Sequence, residues 1–132
     1  STVPKFTVII GNSYGAGNYA MCGKAYDPRL IIAWPTARIA VMGGDQASNV
    51  LLNLEKSRLE KLGKVISEKE EKSLKKKIKE NYNKQTSPYY AASRLWIDQI
   101  INPLDTRKVL SIGIEASNNS SIKEFKTGVI QT

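Results

Sequence analysis

Phe6-Thr7-Val8-Ile9-Ile10 runs directly into Gly11-Asn12-Ser13-Tyr14-Gly15-Ala16-Gly17, and no other stretch of the 132 residues constrains the fold as tightly. A short apolar, β-branched run reads as a buried strand. Glycines at 11, 15 and 17 then let the backbone turn sharply and approach other groups closely. The pattern predicts a strand over 6–10, a glycine-rich turn, and a helix from near Ala16 to Gly23, with Gly23 at the C′ position. Two readings of the turn stand side by side. One is a tight strand-to-helix connection without a ligand; the other is a cradle whose backbone N–H groups face an anion or oxyanion. Neither GxGxxG nor the phosphate-loop pattern with its Lys and Ser/Thr occurs.

Side-chain chemistry is sparse elsewhere. The chain has no His, one Cys and no cluster of acids, so a conventional nucleophile–base pair is missing and no metal-ligand set exists. A lone Cys22 forms no internal disulfide, which fits a reducing compartment, and it reads as a small buried hydrophobe. Trp34, Tyr89, Tyr90 and Trp96 read as core or interface aromatics. Arg94 and Arg107 read either as braces for neighbouring structure or as contacts for phosphates. No apolar run approaches the roughly 20 residues that cross a bilayer. The length suits one domain or part of one, and the abrupt start at Ser1-Thr2-Val3-Pro4, without Met, is expected of a piece of a longer protein. In that case apolar surface around Val8, Ile10, Ile32 and Trp34 is expected to lie open.

The net charge of +8 raises the question of nucleic acid, and its location answers it. Eleven Lys/Arg against six Glu lie between Glu55 and Lys84, an excess of five within one segment. Leu74, Ile78 and Tyr82 recur there every fourth residue, the stripe of an amphipathic surface helix with a mixed-charge exterior. Stacking aromatics are lacking apart from Tyr82, so a solvated helix is favoured over a single-strand binder.

Further strands are predicted at 30–34, halted by Pro35, and 38–42, ended by Gly43-Gly44. Helical spacing at Ala47, Val50, Leu51 and Leu54 predicts a helix running to about Gly63. Ser67-Glu68-Lys69-Glu70 is a capping box. Ser87-Pro88 and Asn102-Pro103 each place an N-cap before a Pro at N1. Strands each followed by helical material predict an α/β fold of repeated strand-strand-helix units.

Four motifs in order carry a resemblance: residues 11–26 from Gly11 to Tyr26, 34–47 from Trp34 to Ala47, 88–96 from Pro88 to Trp96, and 102–107 from Asn102 to Arg107. Together they resemble the C-terminal end of biotin-dependent acyl-CoA carboxylase β subunits, nearest to the 3-methylcrotonyl-CoA branch. That branch shares the Tyr-Gly-Ala-Gly-Asn-Tyr core and a charged helical insert. The propionyl-CoA branch usually reads Tyr-Gly-Gly-Ala-Tyr at the turn. Asn12, Gln99 and Asn102 depart from the common residues, as does Phe125-Lys126-Thr127-Gly128-Val129.

The resemblance implies a crotonase-like fold, with residues 1–132 as the C-terminal part of the carboxyltransferase C-domain and a charged helical segment at about 49–86. It implies that the backbone amides of Ala16 and Gly17, with Gly15 shaping the approach, bind the ureido oxygen of biotin. Biotin itself, once its carboxyl group leaves as CO2, would be the base that takes the substrate proton, so no protein His or Cys is required. The implied partners are an acyl-CoA substrate, a biotin carboxylase and carrier α subunit that brings the biotin, and further β subunits, with neither nucleic acid nor membrane. The implied location is the cytoplasm of a bacterium or the mitochondrial matrix of a eukaryote. A crotonase-type hydratase or isomerase, the propionyl-CoA or geranyl-CoA branch, and a non-catalytic basic interaction module are the alternatives.

Overall fold

The computed structural model describes residues 3–63 and 67–121. In chain order it contains β1 (Phe6–Ile9), β2 (Asn12–Tyr14), α1 (Gly15–Ala20), a 3-10 turn (Lys24–Tyr26), β3 (Leu30–Ala33), β4 (Arg38–Ala40), α2 (Gly44–Lys61), α3 (Glu68–Gln85), α4 (Pro88–Ser93), β5 (Gln99–Ile100), a 3-10 turn (Pro103–Asp105) and α5 (Thr106–Asn118). The strands form two parallel sheets, ordered β1-β3-β5 and β2-β4. Consecutive strands therefore change sheet: β1 passes to β2 and β3 to β4 around corners at 10–11 and 34–37. The second corner stacks on the first through Trp34 N–H to the Ile9 carbonyl (2.9 Å), Arg38 N–H to the Gly11 carbonyl (3.0 Å) and the Thr36 hydroxyl to the Ile10 carbonyl (2.7 Å). Each unit is thus strand, strand, helix, with α1 closing the first and α2 the second.

β3 is central in its sheet, and Ile31, Ile32 and Ala33 are all buried. In register with it, Val8 faces Ile32 and Ile9 faces Ala33 on one side, while Gln99 and Ile100 pair on the other. The core joins Ile9, Ile31, Ala33, Ala37, Ile39, Ala91 and Ile97 across both sheets and α4. Burying each such isoleucine contributes about 1.5–3 kcal/mol. The Ser87 N-cap accepts the Tyr90 N–H, and Pro88 fills N1, so α4 begins where its Ala91 enters this core.

Three local expectations change. The strands stop earlier than the apolar runs, because Ile10 and Val41 turn out at corners and are 57% and 77% exposed. Asn12–Tyr14, read as turn, is a strand, because it finds a parallel partner in Arg38–Ala40, a case of tertiary pairing overriding polar composition. Gly23 does not cap α1. Cys22 takes the left-handed position (φ 67°), while Gly23 is extended (φ −63°, ψ 179°) and opens the next turn. A Cβ on Gly23 would lie 2.6 Å from Asn18 Oδ1 and 2.9 Å from its carbonyl oxygen, which is why a glycine is needed there. Of the apolar residues expected to lie open, Ile10 does so, Ile32 is fully buried at the sheet centre, and Val8 and Trp34 are half-buried. Trp34 Nε1–H donates to Thr106 Oγ1 (3.0 Å), which fixes the start of α5. The sequence departure at 125–129 lies outside the described residues.

α2 and α3 form an antiparallel hairpin beside this core. Leu74, Ile78 and Tyr82 are the half-buried stripe of α3, as their spacing requires. The Tyr82 hydroxyl donates to the Met42 carbonyl (2.9 Å) and accepts the Met42 N–H (3.3 Å), tying α3 to the end of β4. Ion pairs Lys56–Glu71 (2.6 Å) and Lys79–Asp45 (2.5 Å) bridge the two helices. The Ser67 capping box is complete, with Glu70 carboxylate accepting the Ser67 N–H at 2.9 Å. Asn102 caps a 3-10 turn before α5, accepting Leu104 N–H at 3.0 Å.

Candidate active site

The corner from β1 to α1 forms one wall of a cleft of about 540 Å³. Gly11, Asn12, Ser13, Gly15 and Asn18 line it from this wall, and Val41 and Trp96 from the other side. Ile31, Ile39 and Ile97 also line it, so the cleft opens onto the core between the two sheets. Its size lies within the roughly 300–1,000 Å³ of small-molecule sites. Among the described residues no Asp or Glu lines it.

Gly15 shapes this wall for a reason readable in its geometry. Its φ is +50°, and a Cβ there would sit 2.6 Å from the Val41 carbonyl oxygen. Only glycine lets α1 start directly on β2 while passing this close to the end of β4. Tyr14, the residue before α1, is extended (φ −123°, ψ 140°) and provides no side-chain cap. The first amides of a helix have no carbonyl four residues back within it. Ala16 and Gly17 belong to that first turn, and among the described residues neither amide donates to a carbonyl or side chain elsewhere. Both residues are exposed, and a Cβ on Gly17 would meet nothing within 4 Å. Of the three candidate residues, Gly15 lines the cleft, while Ala16 and Gly17 follow it in the chain without forming its wall.

Other candidates separate from this site. Cys22 is half-buried and acts through its backbone, its carbonyl accepting the Thr7 hydroxyl at 2.9 Å. Arg94 lies 5.2 Å over the Tyr90 ring, and Tyr90 meets Trp96 edge-on at 5.8 Å, so Arg94 braces the aromatic that walls the cleft. Arg107 is exposed on α5. Tyr19, in the cleft wall, packs on Tyr26 at 4.7 Å, and hydrogen bonding to Tyr19 raises the Tyr26 phenol above its ordinary range. Among the described residues no three His, Cys, Asp or Glu groups gather to hold a metal, and no helix is long and apolar enough to cross a membrane. No local pattern marks Val41 or Lys24 as cleft residues, because Val41 reaches the cleft through the pairing of β4 with β2 and Lys24 through the 3-10 turn.

What this arrangement can do is bind a small, weakly polar group against an apolar floor, next to a helix start that has no side-chain cap. Parallel strand-strand-helix units that carry such a corner define the crotonase-like fold of carboxyltransferase subunits. The family model of the carboxyl transferase domain matches residues 1–129. The probable mitochondrial methylcrotonoyl-CoA carboxylase beta chain of Drosophila melanogaster is 49% identical over 131 residues, covering 99% of this chain and 23% of that protein. The mitochondrial methylcrotonoyl-CoA carboxylase beta chain of Arabidopsis thaliana is 46% identical over 129 residues, covering 98% and 22%. The crystal structure of the transcarboxylase 12S hexamer with methylmalonyl-coenzyme A bound superimposes with a TM-score of 0.76 at 30% identity, covering 99% of this chain and 23% of that one. The chain belongs to the carboxyl transferase domain family. It spans about a quarter of the length of the curated relatives it matches.

Proposed function

We propose that residues 1–132 are the C-terminal part of the carboxyltransferase C-domain of a biotin-dependent acyl-CoA carboxylase β subunit, and that the complete protein carboxylates 3-methylcrotonyl-CoA. The observation that carries this reading is the near-complete, near-half identity to methylcrotonoyl-CoA carboxylase beta chains. The site supports it. An apolar cleft that no carboxylate lines among the described residues suits a flat urea-type ring and offers no carboxylate base for hydration. The Ala16 and Gly17 amides are the donors to the ureido oxygen, with Gly15 setting their approach. One such preorganised donor is typically worth about 3–4 kcal/mol of barrier. Biotin, brought by the partner α subunit, supplies the carboxyl group. The remaining partners are the acyl-CoA and further β subunits, with neither nucleic acid nor membrane. The complete protein works in the mitochondrial matrix if its source is eukaryotic and in the cytoplasm if bacterial.

The test is co-expression of the full-length β subunit with its α subunit and assay of biotin-dependent carboxylation. Turnover of methylcrotonoyl-CoA well above propionyl-CoA and geranoyl-CoA is expected, with no activity from the 132-residue chain alone. Preference for propionyl-CoA or geranoyl-CoA would move the protein to another branch. Hydration of an enoyl-CoA without carboxylation would overturn the reading.

A further inference from the structure

We propose that Lys24 is an anion-holding residue of the cleft, contacting the carboxylate that the reaction moves. The inference rests on the function proposed above. Among the described residues lining the cleft, Lys24 is the sole charged side chain. Its surroundings fix where the charge sits. Gly23, buried and pressed against Asn18, sets the start of the 3-10 turn that carries Lys24. The ammonium then reaches Asp98 Oδ1 at 3.2 Å, across 74 positions in the chain.

Asp98 does not depend on Lys24 for its own position. Its other oxygen accepts the Ile31 N–H at 2.7 Å, and its backbone N–H donates to the Ile31 carbonyl at 2.8 Å. The carboxylate is therefore anchored to the edge of β3 before any cation arrives. The two side chains are 55% and 36% exposed, and a pair so open to water contributes only about 0–1 kcal/mol to stability. What the pair does achieve is orientation. A lysine ammonium carries three donors, of which Asp98 takes one. Two remain for an incoming anion at the edge of an apolar cleft, where water screens a charge less than in bulk.

The anion implied by the proposed reaction is a carboxylate, and it has two sources: the group carried in on biotin, and the same group once it is on the acyl chain. Lys24→Met and Lys24→Arg in the full-length β subunit separate them. In the first arm, calorimetry measures binding of the carboxylated product of methylcrotonoyl-CoA and of methylcrotonoyl-CoA itself. If Lys24 holds the acyl-borne carboxylate, Lys24→Met weakens product binding about tenfold, the scale of one lost charge-assisted hydrogen bond. Binding of the uncarboxylated thioester stays unchanged, and Lys24→Arg restores most of the loss. In the second arm, the α-subunit complex is loaded with its carboxyl group and the acyl-CoA is withheld. If Lys24 holds the biotin-borne carboxylate, Lys24→Met raises the KM for the loaded carrier and alters the rate of CO2 loss.

Movement in either arm supports the proposal and names the source. Equal weakening of both thioesters would assign Lys24 to the CoA phosphates and overturn it, as would indifference in both arms. Asp98→Asn, which keeps an acceptor for Ile31 N–H, should reproduce a fraction of the Lys24→Met effect with an unchanged melting temperature. A wild-type enzyme that carboxylates no acyl-CoA would sink the functional reading and this inference with it. An active wild type with an indifferent Lys24 would sink the inference alone.

Discussion

A methyl group added at Gly15 would fall 2.6 Å from the backbone carbonyl of Val41, whereas one added at Gly44 would meet the side-chain oxygen of Asn83 at 2.5 Å. The distances match, but the consequences differ. At the cleft the obstacle is backbone, just past the strand β4 that pairs with β2, and Gly15 is also in the left-handed region. At the α2–α3 hairpin the obstacle is the tip of a side chain that can swing away. The same contrast runs through both regions. The cleft has a floor of buried residues, Ile9, Ile31, Ile39 and Ile97, and is framed by strand pairs distant in sequence. In the hairpin, α3 has no buried residue and is held by a half-buried stripe, a capping box and ion pairs that water reaches. The proposed site lies where the backbone cannot yield, and charge concentrates where it can.

The sharpest way to test that division is at two glycines two residues apart. Gly17→Pro in the full-length enzyme removes an N–H that no helical carbonyl uses, at a first-turn position that tolerates proline. Carboxyl transfer should fall about a hundredfold, the scale of one lost oxyanion donor, while acyl-CoA affinity is retained. Gly17→Ala, with open space around it, should leave both unchanged. Equal losses of transfer and affinity in the proline variant would mean that the corner is structural only.

Gly15→Ala should instead strike stability. Forcing alanine into the left-handed region costs about 1–2 kcal/mol before the clash with Val41 is counted. A lowered melting temperature accompanied by lost transfer is expected. An unchanged melting temperature would show that the cleft backbone yields as readily as the hairpin does.

How much of this was legible in the chain follows the same line. The hairpin could be read almost residue by residue: the 74, 78, 82 stripe, the Ser67–Glu70 box and the stop near Gly63 are local signals, and all appear where spacing put them. The cleft was legible only in outline. The strand and glycine corner were visible, yet β2 was not, because Asn12-Ser13-Tyr14 has no strand-like composition and gains its conformation from pairing with β4. Gly23 looked like a helix stop because local rules favour glycine there. Crowding by Asn18 is what requires it, and Cys22 takes the unusual dihedral instead. Ala16 and Gly17 were singled out by likeness to a family, since a backbone donor leaves no mark in side-chain pattern.

Tyr82 links the two regions, so it measures how far they depend on each other. Tyr82→Phe deletes a hydroxyl that both donates to and accepts from Met42 at the end of β4. A loss of about 1 kcal/mol is expected, the usual net worth of such a bond, read by denaturant unfolding. If hydrogen exchange then rises across α3 but not at β4, the hairpin leans on the cleft rather than the reverse. A matching rise at β4 would mean that the two halves open together.

The smallest effect belongs to the surface charge of the hairpin. The Lys79 hydrogen bond, aided by its charge, lowers the Asp45 carboxyl below its ordinary value. A carboxyl lowered in the folded state contributes stability that is present above the unfolded value, about pH 4, and is lost as pH falls through the folded one. Asp45→Asn should therefore melt slightly below the wild type at neutral pH, and the gap should close as the pH drops below about 4. Because the pair is open to water, added salt should shrink the gap too. The Ser67 bonds lower Glu70 in the same direction, so Glu70→Gln should show the same convergence in acid while remaining less sensitive to salt, its partner being a neutral backbone and hydroxyl. A gap that widens in acid for either variant would mean that the protonated acid and not the carboxylate stabilises the fold, and the hairpin would then not be held by charge.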